Sequence, residues 1–262
     1  MTNRESRTYQ TQAIVLSHLE YGEADRILTL FTREKGRISV IARGVRKIRS
    51  RKAGHLEPFT LVNLMLARGR NLDIVTQAET VNAYLGIKDD LSRLAVGTYI
   101  IELLERFTYE EGQNLDIFRL LVNTLSRLES LSNTETVVHY YEMRLLDLLG
   151  FRPQLFNCVG CSEEIKAEDQ FFSPLAGGVY CPHCGAGQRD AWPISEDILR
   201  YLRHFQRSNW KQLNQLVIPA DIESGLADLI TGYLTYLLER KLNTPEFIRE
   251  VRDAKDVNSR GI

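Results

Sequence analysis

Two cysteine pairs, Cys158-x2-Cys161 and Cys181-x2-Cys184, stand nineteen residues apart and use every cysteine of the 262-residue chain. Two C-x2-C turns separated by roughly 15–20 residues are the donor pattern of a structural zinc site. Each turn aims two thiolates at one point, and the second turn completes a tetrahedron with Zn–S near ~2.3 Å. Gly160, Gly177, Gly178, Gly185 and Gly187 fall in the same stretch and supply the permissive backbone of tight turns. Disulfides are the competing use of four cysteines. They suit short secreted chains, and the polar opening MTNRESRTYQTQ carries no signal-type apolar stretch, so a cytoplasmic protein is expected. Four thiolates close the coordination shell, which predicts one structural zinc per chain (Cys158, Cys161, Cys181, Cys184) and no metal chemistry. His183, inside YCPHC, would displace a cysteine if it were a ligand, and is expected beside the site or on the surface.

The pattern before and after these pairs differs. Up to residue 80 it is β: QAIVLSHL (12–19), RILTLFTR (26–33), GRISVIARG (36–44), FTLVNLMLARG (59–69) and LDIVTQAE (72–79) are β-rich runs separated by turn residues. Five short strands fit a small closed barrel. REKG reads as the hairpin turn between the second and third runs, with Gly36 where positive φ is favoured. From residue 81 the period is helical. The run 91–107 is expected to bury a stripe of Leu91, Leu94, Ala95, Thr98, Ile101, Leu104 and Glu105. The run 115–131 puts Ile117, Leu120, Leu121, Thr124, Leu125 and Leu128 on one face, and 134–150 is expected to start at Thr134 and stop at Gly150. Ser195 and Pro219 mark two further helix starts. The predicted organisation is a β domain over 1–80, a helical domain over 81–155 and 188–250, a zinc-binding segment over 156–187 and a frayed end over 251–262. The class is α+β. No apolar run approaches the length of a membrane span.

The net charge of −1 conceals an asymmetry. Residues 1–80 carry 14 Lys/Arg against 8 Asp/Glu, and the remainder 19 against 26. Such a split suits a basic part that meets a polyanion. Its centre is ARGVRKIRSRKAGH, with Arg43, Arg46, Lys47, Arg49, Arg51 and Lys52 and no acid over residues 43–55. The plain alternative is a solvated charge run. Strand pleating adds to the binding reading, because in GRISVIAR it sends Ile38, Val40 and Ala42 to one face and Arg37, Ser39, Ile41 and Arg43 to the other. Arg33 and Lys35 adjoin in the hairpin turn, and Arg68 and Arg70 in the next turn along. Nucleic-acid phosphates are the expected ligand, with salt-sensitive, sequence-independent attraction. Tyr21 and Phe31 are the candidates to stack on bases, Phe31 having the stronger claim to the core.

YGEADRILTLFTREKGRISVIARGVRKIRSRKAGHLEPF followed by RGRNLDIVTQAE, together with GFRPQLFNCVGC after a helix and the two cysteine knuckles, resembles the RecO family of bacterial recombination mediators over essentially the whole chain. The resemblance implies an N-terminal five-stranded OB-fold barrel, then an all-helical domain with an inserted four-cysteine zinc segment. It further implies a non-enzymatic mediator of DNA repair and recombination in the DNA damage response. Such a protein is associated with the nucleoid, binds single- and double-stranded DNA, and anneals complementary strands. Implied partners are the acidic C-terminal tail of single-stranded-DNA-binding protein, and RecR, with which it helps RecA load. Carried over by position, Arg33, Lys35, Arg37, Arg43, Arg46, Lys47, Arg49, Arg51 and Lys52 would contact DNA.

Two other classes share part of this pattern. A zinc-ribbon adaptor that binds RNA or protein would share the cysteines and the basic loop. An enzyme finds little support, since His18–Glu20 and His55–Glu57 match only the H-x-E half of a deaminase signature, and neither G-x4-G-K-[ST] nor H-E-x-x-H is present. The acidic pairs Asp89/Asp90 and Glu110/Glu111 read as solvated helix ends.

Overall fold

A computed structural model describes residues 6–108, 112, 114–131, 133–245, 247, 248, 250 and 251. The predicted frayed end lies outside them except for residue 251. The chain forms two compact units, 1–131 with 251–262, and 132–250.

In the first unit, β1 (Thr8–Tyr21), β2 (Asp25–Thr32), β3 (Gly36–Ala42), β4 (Leu61–Ala67) and β5 (Asp73–Asn82) close into a barrel of order β1-β2-β3-β5-β4. β3 and β5 pair in parallel through Val40/Asp73 and Ile41/Ile74, and the other ladders are antiparallel. This is the OB-fold arrangement. A bulge between Val15 and Ser17 bends β1, so that its first half pairs with β4 and its second with β2. The interior is filled by alternate residues: Ala13, Val15, Leu28, Leu30, Val40, Ala42, Val62, Leu64, Leu66 and Val75. Burying each of the larger ones is worth about 1.5–3 kcal/mol.

Some outward-facing residues are buried as well. Ile14, Phe31 and Leu61, opposite one another in the β2-β1-β4 ladders, are inaccessible. Three helices follow the barrel in the same unit, α1 (Leu85–Lys88), α2 (Leu91–Phe107) and α3 (Leu115–Ser130). Lys88 Nζ donates to Thr60 Oγ1 at 2.9 Å, and Arg37 donates to the Glu105 carbonyl at 2.8 Å. At Gly97 a β-carbon would meet the Phe59 ring at 3.0 Å, so glycine lets α2 come close. Asp90 caps α2 by accepting from the Ser92 and Arg93 N–H groups, and Asn114 caps α3.

The face predicted for α3 is the buried one. That predicted for α2 is too narrow: Ala95, Ile101 and Leu104 are buried as expected, but Leu91 is 59% exposed and Thr98 is exposed, and Val96, Tyr99, Ile100, Leu103 and Phe107 are buried as well. A helix covered on most of its circumference has no single stripe for a 3.6-residue period to reveal.

The second unit begins with α4 (Thr134–Leu148) and continues through β6 (Gln170–Ser173), β7 (Gly178–Tyr180), α5 (Pro182–Gly185), β8 (Trp192–Ile194), α6 (Glu196–Arg207), α7 (Trp210–Leu213) and α8 (Ala220–Leu238). Asn133, one residue before the expected Thr134, caps α4 by accepting from Thr136 N–H, and Gly150 follows its end at φ 82°. Ser195 caps α6, Pro219 precedes α8, and α8 stops at Glu239 in the left-handed region. α4, α6 and α8 pack on one another around Tyr141, Leu145, Leu199, Leu202, Phe205, Leu226 and Ile230. The cysteine segment contributes a feature absent from the sequence reading, a three-stranded antiparallel sheet of order β7-β6-β8.

Candidate nucleic-acid interface and metal centre

The basic run is the long connection from β3 to β4, and it is anchored rather than loose. Val45 and Leu56, one near each end, are buried in the barrel core. Gly44 N–H donates to Asp25 Oδ1 at 2.7 Å, and Arg46 N–H to the Ala24 carbonyl at 2.9 Å, tying the loop to the β1–β2 turn. Lys52 Nζ crosses back to the Val75 carbonyl at 2.9 Å and the Arg43 carbonyl at 3.4 Å. Burial lowers the Lys52 pKa against the opposing pull of Asp25.

Arg43, just before the first anchor, and Arg46, Lys47, Arg49 and Arg51, between the two ends, are all exposed. Arg46 reaches Glu20 at 3.3 Å, a solvent-facing pair that water largely screens. One anchored loop therefore presents five cations. Lys52 shares the loop but spends its donors on backbone carbonyls.

The remaining predicted contacts stand elsewhere. Arg33, Lys35 and Arg37 belong to the β2–β3 hairpin, at the opposite end of β3 from Arg43, roughly 20 Å along the strand at ~3.3 Å per residue. Arg33 is exposed. Arg37 is half-buried and engaged with the Glu105 carbonyl. Lys35 Nζ sits 4.2 Å from the centre of the Tyr9 ring, and the Arg68 guanidinium 5.6 Å from it, while Tyr9 Oη donates to Asp73 at 2.5 Å. The cations thus form two groups, one on the loop and one around Tyr9. Of the stacking candidates, Phe31 is buried in the core and Tyr21 is 54% exposed.

In the second unit the four cysteine sulfurs lie within 4.8 Å of one another, and none is in a disulfide. A tetrahedral shell with Zn–S near ~2.3 Å places sulfurs about 3.8 Å apart, and Cys161 and Cys181 Sγ are 3.9 Å apart. Cys158, the buried member, accepts from the Cys181 N–H at 3.2 Å and the Gly160 N–H at 3.4 Å. Burial raises its pKa, but those backbone donors outweigh burial and hold the thiol at about 6. Cys184 is pushed the other way, to about 12, by the neighbouring Cys181 and Cys161 sulfurs. A second thiolate is disfavoured while the cluster has no cation, and a divalent ion removes that repulsion. The donor set fits zinc. His183 is exposed and outside the set.

A cationic surface that the sequence reading missed lies on α6. Lys166, Leu199, Arg200, Arg203, Arg207 and Leu216 line a groove of about 530 Å³. Arg203 donates to the Leu155 and Ile165 carbonyls, and the Arg207 guanidinium lies 3.7 Å from the Phe156 ring centre. The signal was present in ILRYLRHFQR, where Arg200, Arg203 and Arg207 recur at helical spacing. Of the acidic pairs, Asp90 caps α2, and Glu110 and Glu111 lie outside the described residues. Among the described residues no helix is long and apolar enough to cross a membrane.

Family models agree with this architecture. Residues 6–84 match the model described as Recombination protein O N terminal, and residues 88–246 match Recombination protein O C terminal. The DNA repair protein RecO of Roseiflexus sp. (strain RS-1) is 38% identical over 246 residues, covering 94% of this chain and 87% of that protein. The DNA repair protein RecO of Dehalococcoides mccartyi (strain ATCC BAA-2266 / KCTC 15142 / 195) is 36% identical over 233 residues, with 89% and 92% covered. That of Desulforamulus reducens is 34% identical, with 92% and 94% covered.

Proposed function

This chain belongs to the RecO family of DNA repair and recombination proteins, and we propose that it is a non-enzymatic mediator that holds DNA on the cationic loop of its barrel and anneals complementary strands. The observation that carries the reading is the group of five exposed cations, Arg43, Arg46, Lys47, Arg49 and Arg51, on a loop whose two ends are buried in the barrel. Guanidinium and ammonium groups grip phosphates and leave base edges uncovered, as pairing between two strands requires. Lys35 and Arg68 around Tyr9 give the same barrel a second point of phosphate contact. Annealing breaks no covalent bond and asks for no catalytic group.

Within this reading the protein works in the cytoplasm, at the nucleoid. It engages the acidic tail of single-stranded-DNA-binding protein and acts with RecR to help RecA load. The α6 groove has the chemistry for an acidic tail, since Lys166, Arg200 and Arg207 line it together with apolar Leu199 and Leu216, against one acid, Glu196. The zinc is structural: bound by Cys158, Cys161, Cys181 and Cys184, it pins the loop after α4 to α5, a segment whose strands are only three or four residues long.

The test is annealing of complementary strands coated with single-stranded-DNA-binding protein. The full chain is expected to accelerate it. The combined change Arg43→Ala, Arg46→Ala, Lys47→Ala and Arg49→Ala is expected to abolish the acceleration without unfolding the protein. Wild-type annealing by this variant would reject the reading. Tighter binding to RNA than to DNA of matched length would favour an RNA adaptor instead.

A further inference from the structure

The same loop carries one side chain at odds with its surroundings. Ile48 is 105% exposed, beyond any other large apolar residue among those described, and stands between Lys47 and Arg49. It does not hang on slack chain. Lys47 N–H donates to the Gly44 carbonyl at 3.2 Å and Ser50 N–H to the Lys47 carbonyl at 2.8 Å, so Ile48 is the second residue of a closed turn. That turn springs from buried Val45 and from the Arg46–Ala24 hydrogen bond. Tyr21 stands beside its root, because the residue opposite it in the β1–β2 ladder, Asp25, is the one that caps Gly44.

We propose that Ile48 is a wedge that enters between adjacent bases of the DNA held by this loop and opens the stack there. The inference rests on the loop's being the DNA-binding element. An aliphatic side chain flanked along the chain by exposed Lys47 and Arg49 suits a partner that is anionic outside and apolar within. Nucleic acid answers that description, with phosphates for Arg46, Lys47 and Arg49 and base faces for Ile48. Isoleucine is among the side chains that proteins insert between base steps, and flanking phosphate contacts hold the backbone while the step opens. Tyr21 offers an exposed ring, 54% accessible, on which a displaced base can stack. Loss of the wedge removes base contact and leaves every phosphate contact in place, whereas loss of the cations does the reverse.

That contrast defines the experiment. Full-length wild type, Ile48→Ser, Ile48→Leu and the triple change Arg46→Ala, Lys47→Ala, Arg49→Ala are bound to a short single strand with 2-aminopurine among adenines. Anisotropy gives the affinity and its salt slope, and 2-aminopurine emission at saturation reports unstacking. Wild type and Ile48→Leu are expected to raise the emission. Ile48→Ser is expected to lose most of that rise and to bind roughly five- to tenfold more weakly with an unchanged salt slope. The triple variant is expected to flatten the slope by about 2. An emission rise from Ile48→Ser equal to wild type overturns the wedge. So does wild type that binds with a steep salt slope and no rise. Should the triple variant bind like wild type, the phosphate reading fails first and the wedge with it. If Ile48→Ser changes only the engagement of protein-coated strands, Ile48 is a protein contact and the wedge is likewise overturned.

Discussion

Gly36 sets the geometry of the hairpin that carries Arg33 and Lys35. Its φ of 68° is one that L-residues adopt reluctantly, and an added β-carbon would stand 2.1 Å from the Gly112 carbonyl oxygen. Thr32 Oγ1 completes the turn by donating to the Gly36 carbonyl at 3.0 Å and accepting from Lys35 N–H at 3.1 Å. Gly36→Ala is therefore expected to cost about 1–3 kcal/mol in urea unfolding, and an unchanged midpoint would show that the turn tolerates a side chain. REKG announced this position, because a glycine closing a short polar turn between two β-rich runs has few other uses. What residue-by-residue reading does not supply is occupancy. Arg37 and Arg49 look alike in a sequence, yet one guanidinium is committed to the Glu105 carbonyl and the other is exposed, because α2 passes one end of β3 only.

Among the elements, α4 and α8 are joined by a buried charge. His139 Nδ1 lies 2.9 Å from Glu142, and its Nε2 3.1 Å from Glu223 on α8. Burial lowers the imidazole pKa, but the two carboxylates, by hydrogen bond and by charge, outweigh burial and raise it to about 10. The folded chain thus keeps a proton that the unfolded chain releases above its ordinary value of about 6.5. The stabilisation is full below that value and is lost as pH rises through about 10. Wild type should lose stability relative to His139→Asn by on the order of 1 kcal/mol per pH unit across that window, measured by chemical unfolding. A difference that stayed level or grew with pH would contradict the charged imidazole. The cysteine segment makes a second prediction at this scale. Elemental analysis should find one zinc per chain, and Cys161→Ala should expose the amides of residues 150–195 to hydrogen exchange; a chelated protein that keeps its protection would refute the metal's structural role. The knuckles were legible because metal geometry restricts spacing. The sheet β7-β6-β8 was not, because strands of three or four residues beside a cysteine cluster and tight turns need no periodicity of their own.

For the whole molecule, the division of charge foretold a basic β module, and the barrel with its anchored loop accounts for that division. A near-neutral total hides it. The β-rich runs and turn residues exposed the barrel, since alternation survives wherever one face of a strand is interior. They did not expose the burial of Ile14, Phe31 and Leu61 on the barrel's outer face, because burial of both faces erases the alternation. Nor did they show that the predicted cations would separate into a loop group and a hairpin group at opposite ends of one strand. Engagement of phosphates by the loop group is measured directly by the salt dependence of single-stranded-DNA affinity. Five neutralised phosphates give a log–log slope of roughly −3.5. With Arg43, Arg46, Lys47 and Arg49 changed to alanine, the slope should become shallower by roughly 2.8, about 0.7 for each lost phosphate contact. A slope that is flat in the wild type, or equally steep in the variant, would contradict the account.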